Sequence, residues 1–226
     1  MKKEKREKWE DQEGDGSLDF GRFGKIVKGT LVAVMFTLAG LLALRFWLHS
    51  YYPPDMREML PTDVLVEAYA AEIPLTAKTQ EIRVKYDDVN EGNFFADHLI
   101  VVDATGSLQI TVRYNNSTLD KFAEKLEGFD PAAEDPFLYR IFACTGGEGK
   151  DLVGDIYTPE AYRNASLAMY QYRRLAFDGI DLEGVNWIRL EILREDTEEV
   201  VGTILIYENH EDYNLFEEYT VKELGN

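Results

Sequence analysis

The chain has 226 residues, 24 basic against 42 acidic side chains, a net charge of −18 and one cysteine, Cys144. A single cysteine excludes an internal disulfide and any cysteine-cluster metal site, and such acidity disfavours nucleic acid and other anionic polymers as partners. The acidity is uneven: residues 1–28 hold eight basic and seven acidic side chains, whereas residues 53–226 hold 15 and 35.

Residues 1–28 are too polar to form a packed core, which predicts a disordered cytoplasmic tail. Its basic cluster, Lys2, Lys3, Lys5, Arg6 and Lys8, is interleaved with Glu4, Glu7 and Glu10, which weakens any attraction to anionic lipid. Residues 29–48, GTLVAVMFTLAGLLALRFWL, carry one charge, Arg45, and match the roughly 20 apolar residues that a bilayer core of about 30 Å requires. They predict a single transmembrane helix. Arg22, Lys25 and Lys28 precede it, and the twenty residues after it contain only Arg57, so the amino terminus is placed in the cytoplasm and residues 53–226 outside.

At the outer interface Arg45 is expected to snorkel beside Trp47, Tyr51 and Tyr52. A cleaved signal peptide fits less well, because the leader is long, the apolar run exceeds 15 residues, and bulky side chains and prolines follow it. Gly29, Ala33 and Thr37, then Ala39 and Ala43, recur every four residues, a spacing compatible with weak homo-association through the helix.

Residues 49–62 read as an exit spacer stiffened by Pro53 and Pro54, and residues 63–226 as one folded domain. There the apolar period becomes two. Ile82, Val84 and Tyr86 alternate with Glu81, Arg83 and Lys85; Leu108, Ile110, Val112 and Tyr114 alternate with Gln109, Thr111 and Arg113. Both patterns predict half-buried strands. Further strands are expected at 64–71, 99–102, 137–144, 168–177, 187–193 and 200–207, with hairpin turns at Gly106 and at 196–199.

One helix is predicted where Leu119, Phe122, Ala123 and Leu126 fall on one face behind Ser117, and Thr158-Pro159-Glu160 reads as a second, short helix start. Eight short strands and few helices predict a mainly β domain: an extracytoplasmic antiparallel β-sandwich, loosely immunoglobulin-like, with one or two short helices.

Motifs for chemistry are sparse. Cys144 lies at a strand end and reads as a buried small side chain. His49, His98 and His210 are too scattered for a zinc site, and Gly146-Gly147-Glu148-Gly149-Lys150-Asp151 lacks the Ser/Thr of a phosphate loop. No Gly-x-Ser-x-Gly marks a nucleophile. Calcium is the one cation with candidate donors: Asp87, Asp88 and Asn90 in one acidic turn, and Asp178, Asp181 and Glu183 in another. Neither turn has EF-hand spacing, and solvated turns are the first reading of both.

Exposed-aromatic candidates for a binding face are Phe94, Phe95, Tyr162 and Tyr213. No cofactor is implied. A 174-residue outside domain without disulfides fits a bacterial envelope better than an animal ectodomain. The resulting expectation is a membrane-anchored cell-envelope protein displaying a non-catalytic binding or structural module, with a protein, peptide or neutral glycan as partner. The alternatives are an envelope hydrolase using acidic residues, and a signalling or accessory subunit whose tail acts as a binding peptide.

Overall fold

The computed structural model describes residues 20–80, 85–123, 134–146, 153–208 and 217–221 and divides into two compact units, Met1–Tyr51 and Tyr52–Asn226.

The first unit contains α1, Phe20–Ser50. Its stretch Val27–Trp47 is long and apolar enough to cross a membrane; 21 residues rise about 31 Å, and all of them are exposed. The helix begins at Phe20 rather than Gly29, so residues 20–28 are not the disordered tail expected of them. Once nucleated, a helix extends cheaply, and no proline in that stretch stops it. Residues 1–19 lie outside the described residues. The Thr37 hydroxyl donates to the Ala33 carbonyl at 3.0 Å, within its own helix.

The second unit is mostly β. One sheet contains β1 (Thr76–Gln80), β3 (Phe95–Val102), β4 (Ser107–Asn115), β7 (Ala161–Leu167), β8 (Tyr170–Phe177) and β11 (Glu217–Thr220), in the order β11-β1-β3-β4-β8-β7. The other contains β2 (Lys85–Asn90), β5 (Phe137–Gly146), β6 (Val153–Tyr157), β9 (Trp187–Arg194) and β10 (Val200–Glu208), in the order β2-β10-β9-β5-β6. Among the described residues all pairings are antiparallel. Side chains of β3, β4 and β8 meet those of β5, β9 and β10 in one apolar core, with Phe94, Tyr114, Phe122 and Phe137 at one end.

The two expected hairpins form. Gly106, at φ 61°, turns β3 into β4, and Thr197 and Glu198 lie between β9 and β10. A Cβ on Gly106 would also come within 2.6 Å of the Ile180 carbonyl, so glycine is required there twice over. The predicted helix forms as α3, Asn116–Ala123, within the described residues.

Three expectations are corrected. Residues 64–71 form no strand: α2 is a helix at Asp63–Ala70, where the Thr62 hydroxyl accepts from Leu65 N at 3.4 Å, Leu65 and Ala68 face inward three apart, and Val64 and Val66 face solvent. Thr62→Ala is expected to lower stability by about 0.5–1 kcal/mol, with Thr62→Ser near neutral, in urea unfolding of the full chain in detergent. Residues 158–160 form no helix but carry the chain from β6 in one sheet to β7 in the other, and Glu160 N donates to Ala176 O at 2.8 Å. Finally, residues 52–62 are no spacer. Tyr52, Met56, Met59, Leu60 and Thr62 are buried, and the compact unit starts at Tyr52.

Candidate functional site

The polar alternate residues of β4 predict a solvent-facing side, yet Gln109, Thr111 and Arg113 are all buried. The cause is residues 52–62, which run over the outer face of the first sheet as a strap. Gln109 grips the Leu60 backbone at both ends: Leu60 N donates to Gln109 Oε1 and Gln109 Nε2 donates to Leu60 O, each at 2.7 Å. The Thr111 hydroxyl donates to Met56 O at 2.6 Å. Near the edge of the sheet, Arg163 Nη1 donates to Asp55 O at 3.2 Å and lies 3.6 Å from a Glu58 carboxylate oxygen. Beside these bonds, Met59, Leu65, Ala68 and Leu75 pack on Ile100 and Val102 in a second apolar cluster.

A distorted stretch of β3 sits under the start of the strap. The register of β3 on β4 shifts between Asp97 and Ile100, and His98 adopts φ 55°, a left-handed backbone seldom taken by non-glycine residues. Its carbonyl, turned out of the ladder, accepts from Arg174 Nη1 at 2.6 Å; the same nitrogen reaches Thr111 Oγ1 at 3.2 Å. Arg174 thereby ties the bulge to the threonine that holds the strap. The Tyr52 ring packs on His98 at 4.7 Å and on Tyr172 at 5.4 Å between centroids.

Arg113 places its guanidinium carbon 5.1 Å from the Tyr52 centroid, 5.1 Å from that of Phe95 and 4.8 Å from that of Tyr170, a cation enclosed by three aromatic faces. Burial raises the Asp97 carboxyl, but the His98 side chain and backbone and the Arg113 charge outweigh it and hold the group below its ordinary range.

The inner face of the same sheet carries a second polar cluster. Asp135 Oδ1 accepts from the Tyr114 hydroxyl, and its Oδ2 accepts from the Tyr139 hydroxyl, both at 2.8 Å, and from Arg173 Nε at 2.7 Å. Burial pushes Asp135 upward against the pull of Arg173 and the two hydroxyls. Burial and the adjacent carboxylate push Tyr114 and Tyr139 far above the ordinary tyrosine value. Every bond that Asp135 accepts holds it in place, so the cluster acts as a cross-brace between β4, β5 and β8.

The predicted site residues fall apart from these clusters. Asp87, Asp88 and Asn90 lie in β2 rather than a loop. Asn90 is engaged locally, accepting from Phe94 N at 2.8 Å and donating to Phe94 O at 3.3 Å; the other two side chains lie outside the described set. Asp178 accepts from the Ser107 hydroxyl at 2.5 Å, and Asp181 accepts from Glu183 N at 3.0 Å. Asp181 and Glu183 line a shallow cleft of about 440 Å³ with Asp103, but among the described residues no three His, Cys, Asp or Glu side chains come close enough to hold a metal.

Of the interface set, Lys28, Arg45 and Trp47 are exposed on α1, Trp47 stacks on Tyr51 at 4.9 Å, and the side chains of Arg22 and Lys25 are outside the described set. Tyr52, expected at headgroup depth, is instead buried in the β unit, because Arg113, His98 and Tyr172 offer it a closed aromatic and cationic seat. Phe94 is core and Phe95 lies against Arg113, which leaves Tyr162 as the exposed aromatic of that group. Tyr213, His210 and residues 147–151 are outside the described residues. Cys144 is buried, as its strand-end position predicts.

Sequence reading overlooked Gln109, Thr111, Arg113, Arg174 and Asp135. The available signal was Arg173-Arg174 among the tyrosines and apolar residues of β8, since two adjacent arginines in a strand paired on both sides put a charge on each face. Comparison with known proteins returned no match: no family model, no curated protein and no solved structure is similar to this chain.

Proposed function

We propose that the chain is a single-pass membrane protein of a bacterial envelope, with its amino terminus in the cytoplasm, which displays residues 52–226 outside as a non-catalytic binding or structural module. The observation that carries this is the junction: α1 ends at Ser50 and the first buried residue of the β unit is Tyr52, so one residue joins an exposed apolar helix to a folded domain. The basic residues Arg22, Lys25 and Lys28 before the apolar stretch set the orientation. On the strap face Gln109, Thr111 and Arg174 hold backbone in place and Arg113 sits among aromatic rings, which favours a structural or binding role over catalysis. The two sheets form a sandwich in this reading. It is immunoglobulin-like only loosely, because among the described residues its sheets hold six and five strands and successive hairpins alternate between them.

Residues 53–226 hold 15 basic and 35 acidic side chains, so basic or neutral proteins, peptides and uncharged glycans are the favoured partners. A reporter fused to the carboxyl terminus that matures only in the cytoplasm should stay dark, and protease added to intact cells opened only at the outer surface should remove the β unit. A bright reporter would sink the orientation.

A further inference from the structure

The strap meets the sheet as a bound peptide meets a groove. Sheet side chains, not a strand ladder, hold its backbone: Gln109 at Leu60, Thr111 at Met56 and Arg163 at Asp55. Four anchors, Tyr52, Met56, Met59 and Leu60, point inward, while Pro54, Asp55, Arg57, Glu58 and Pro61 are exposed. Three prolines, Pro53, Pro54 and Pro61, restrict the free backbone and lower the entropy lost on docking. Beneath lie Gln109, Thr111, Arg113 and Arg174, all buried. Such polar positions suit a surface that recognises peptide groups; one sealed only by apolar side chains would leave their donors and acceptors costly.

We propose that the outer face of β4 and β8 is a peptide-binding groove which this chain fills in cis with residues 52–60. A peptide of the same chemistry, an aromatic residue followed four, seven and eight positions later by Met, Met and Leu, replaces it. The geometry of the groove does not depend on which side of a membrane the domain faces. Displacing residues 52–60 frees nine residues, up to about 30 Å of extended chain.

Residue-resolved hydrogen exchange on the full chain in detergent micelles tests this, with the Leu60 amide, bonded to Gln109, as reporter and the Ile110 and Leu175 amides of β4 and β8 as references. The Leu60 amide is expected to exchange at least about tenfold faster than the references, because the strap opens without the sheets. Excess synthetic peptide of residues 51–62 should accelerate it further, and a scrambled peptide should not. Thr111→Val, which leaves the Leu60 bond to Gln109 intact, should abolish the peptide's effect while the reference amides stay protected, which also reports that the variant folds.

Equal exchange of Leu60 and the references would overturn the proposal, since the strap would then be integral core. An opening strap that ignores the peptide, or responds equally to the scrambled one, would overturn it as well.

Discussion

Asp135→Asn is expected to cost about 3–5 kcal/mol of stability, because it leaves Arg173 charged and buried without its counter-ion. The Arg173 side chain is 2% exposed, and its Nε reaches Asp135 at 2.7 Å. Its Nη1 donates to Tyr172 O at 3.0 Å, while Nη2 has no hydrogen-bond partner among the described residues, and none of these supplies a second counter-ion. Removing both charges with an apolar pair such as Asp135→Leu with Arg173→Met should cost less than the single change, since the desolvation of both ions disappears together. Urea unfolding of the single and double variants measures this; a double variant as unstable as the sum of the two singles would refute the coupling.

The same cluster sets the alkaline limit of the fold. Tyr114 and Tyr139 are both raised in the folded state, so each keeps its proton where the unfolded chain loses it. Their contribution is fully present below the ordinary tyrosine value of 10.0 and is lost as pH climbs from there towards the folded values. Each tyrosine should remove about 1.4 kcal/mol per pH unit in that window. Melting temperatures from pH 9 to pH 11.5 should therefore fall more steeply in the wild type than in a Tyr114→Phe, Tyr139→Phe variant. Asp135, also raised, carries the opposite lesson for its own proton: ionising it on the way to neutral pH is a cost, because burial outweighs the pull of Arg173 and the two hydroxyls.

Phe94→Ala is the second large effect, about 3–5 kcal/mol. The ring is fully buried and meets Tyr114 and Phe137 edge-on at 5.7 and 5.0 Å. It also fills space that two glycines leave open: a Cβ on Gly92 would lie 2.3 Å from the ring and one on Gly202 2.7 Å from it. Backbone on both sides fixes the shape of this seat, and it cannot close around an alanine, so the cavity term should be near its upper range. Phe94→Leu should retain more than half of the stability difference. Gly202→Ala should be strongly destabilising from the opposite cause, overpacking against the same ring. Shifts in urea midpoint at constant slope would separate both from a change in the unfolded chain.

Local periodicity carried a good part of the fold. The apolar stretch ending in α1 needs no tertiary partner to be recognised, because its composition alone spans the required length. The strands β4, β8, β9 and β10 also form where they are expected, since each is long and its inward residues are large and apolar. By contrast β1, β6, β7 and β11 were not legible. They lie at or next to the sheet edges, are short or polar, and owe their strand conformation to a neighbouring ladder rather than to a pattern of their own.

The candidate site was less legible still. Gln109 and Thr111 look like the wet side of a half-buried strand, and Tyr52 looks like an interfacial aromatic. Both readings fail for one reason: the bonds that bury Gln109 and Thr111 join residues 49 and 55 positions apart, beyond the reach of any window of periodicity. Asp135 is similar, an acid among 42 until β8 brings Arg173 to it from 38 residues away.

The sequence by itself thus determined an apolar helix followed by a strongly acidic, mainly β unit, because length, charge and period two are properties of neighbouring residues. Tertiary structure alone decided that the stretch after the helix is a strap rather than a spacer, and that the polar face of β4 grips it. Which side of a strand is wet depends on what lies over it, and here the covering residues come from a distant part of the chain.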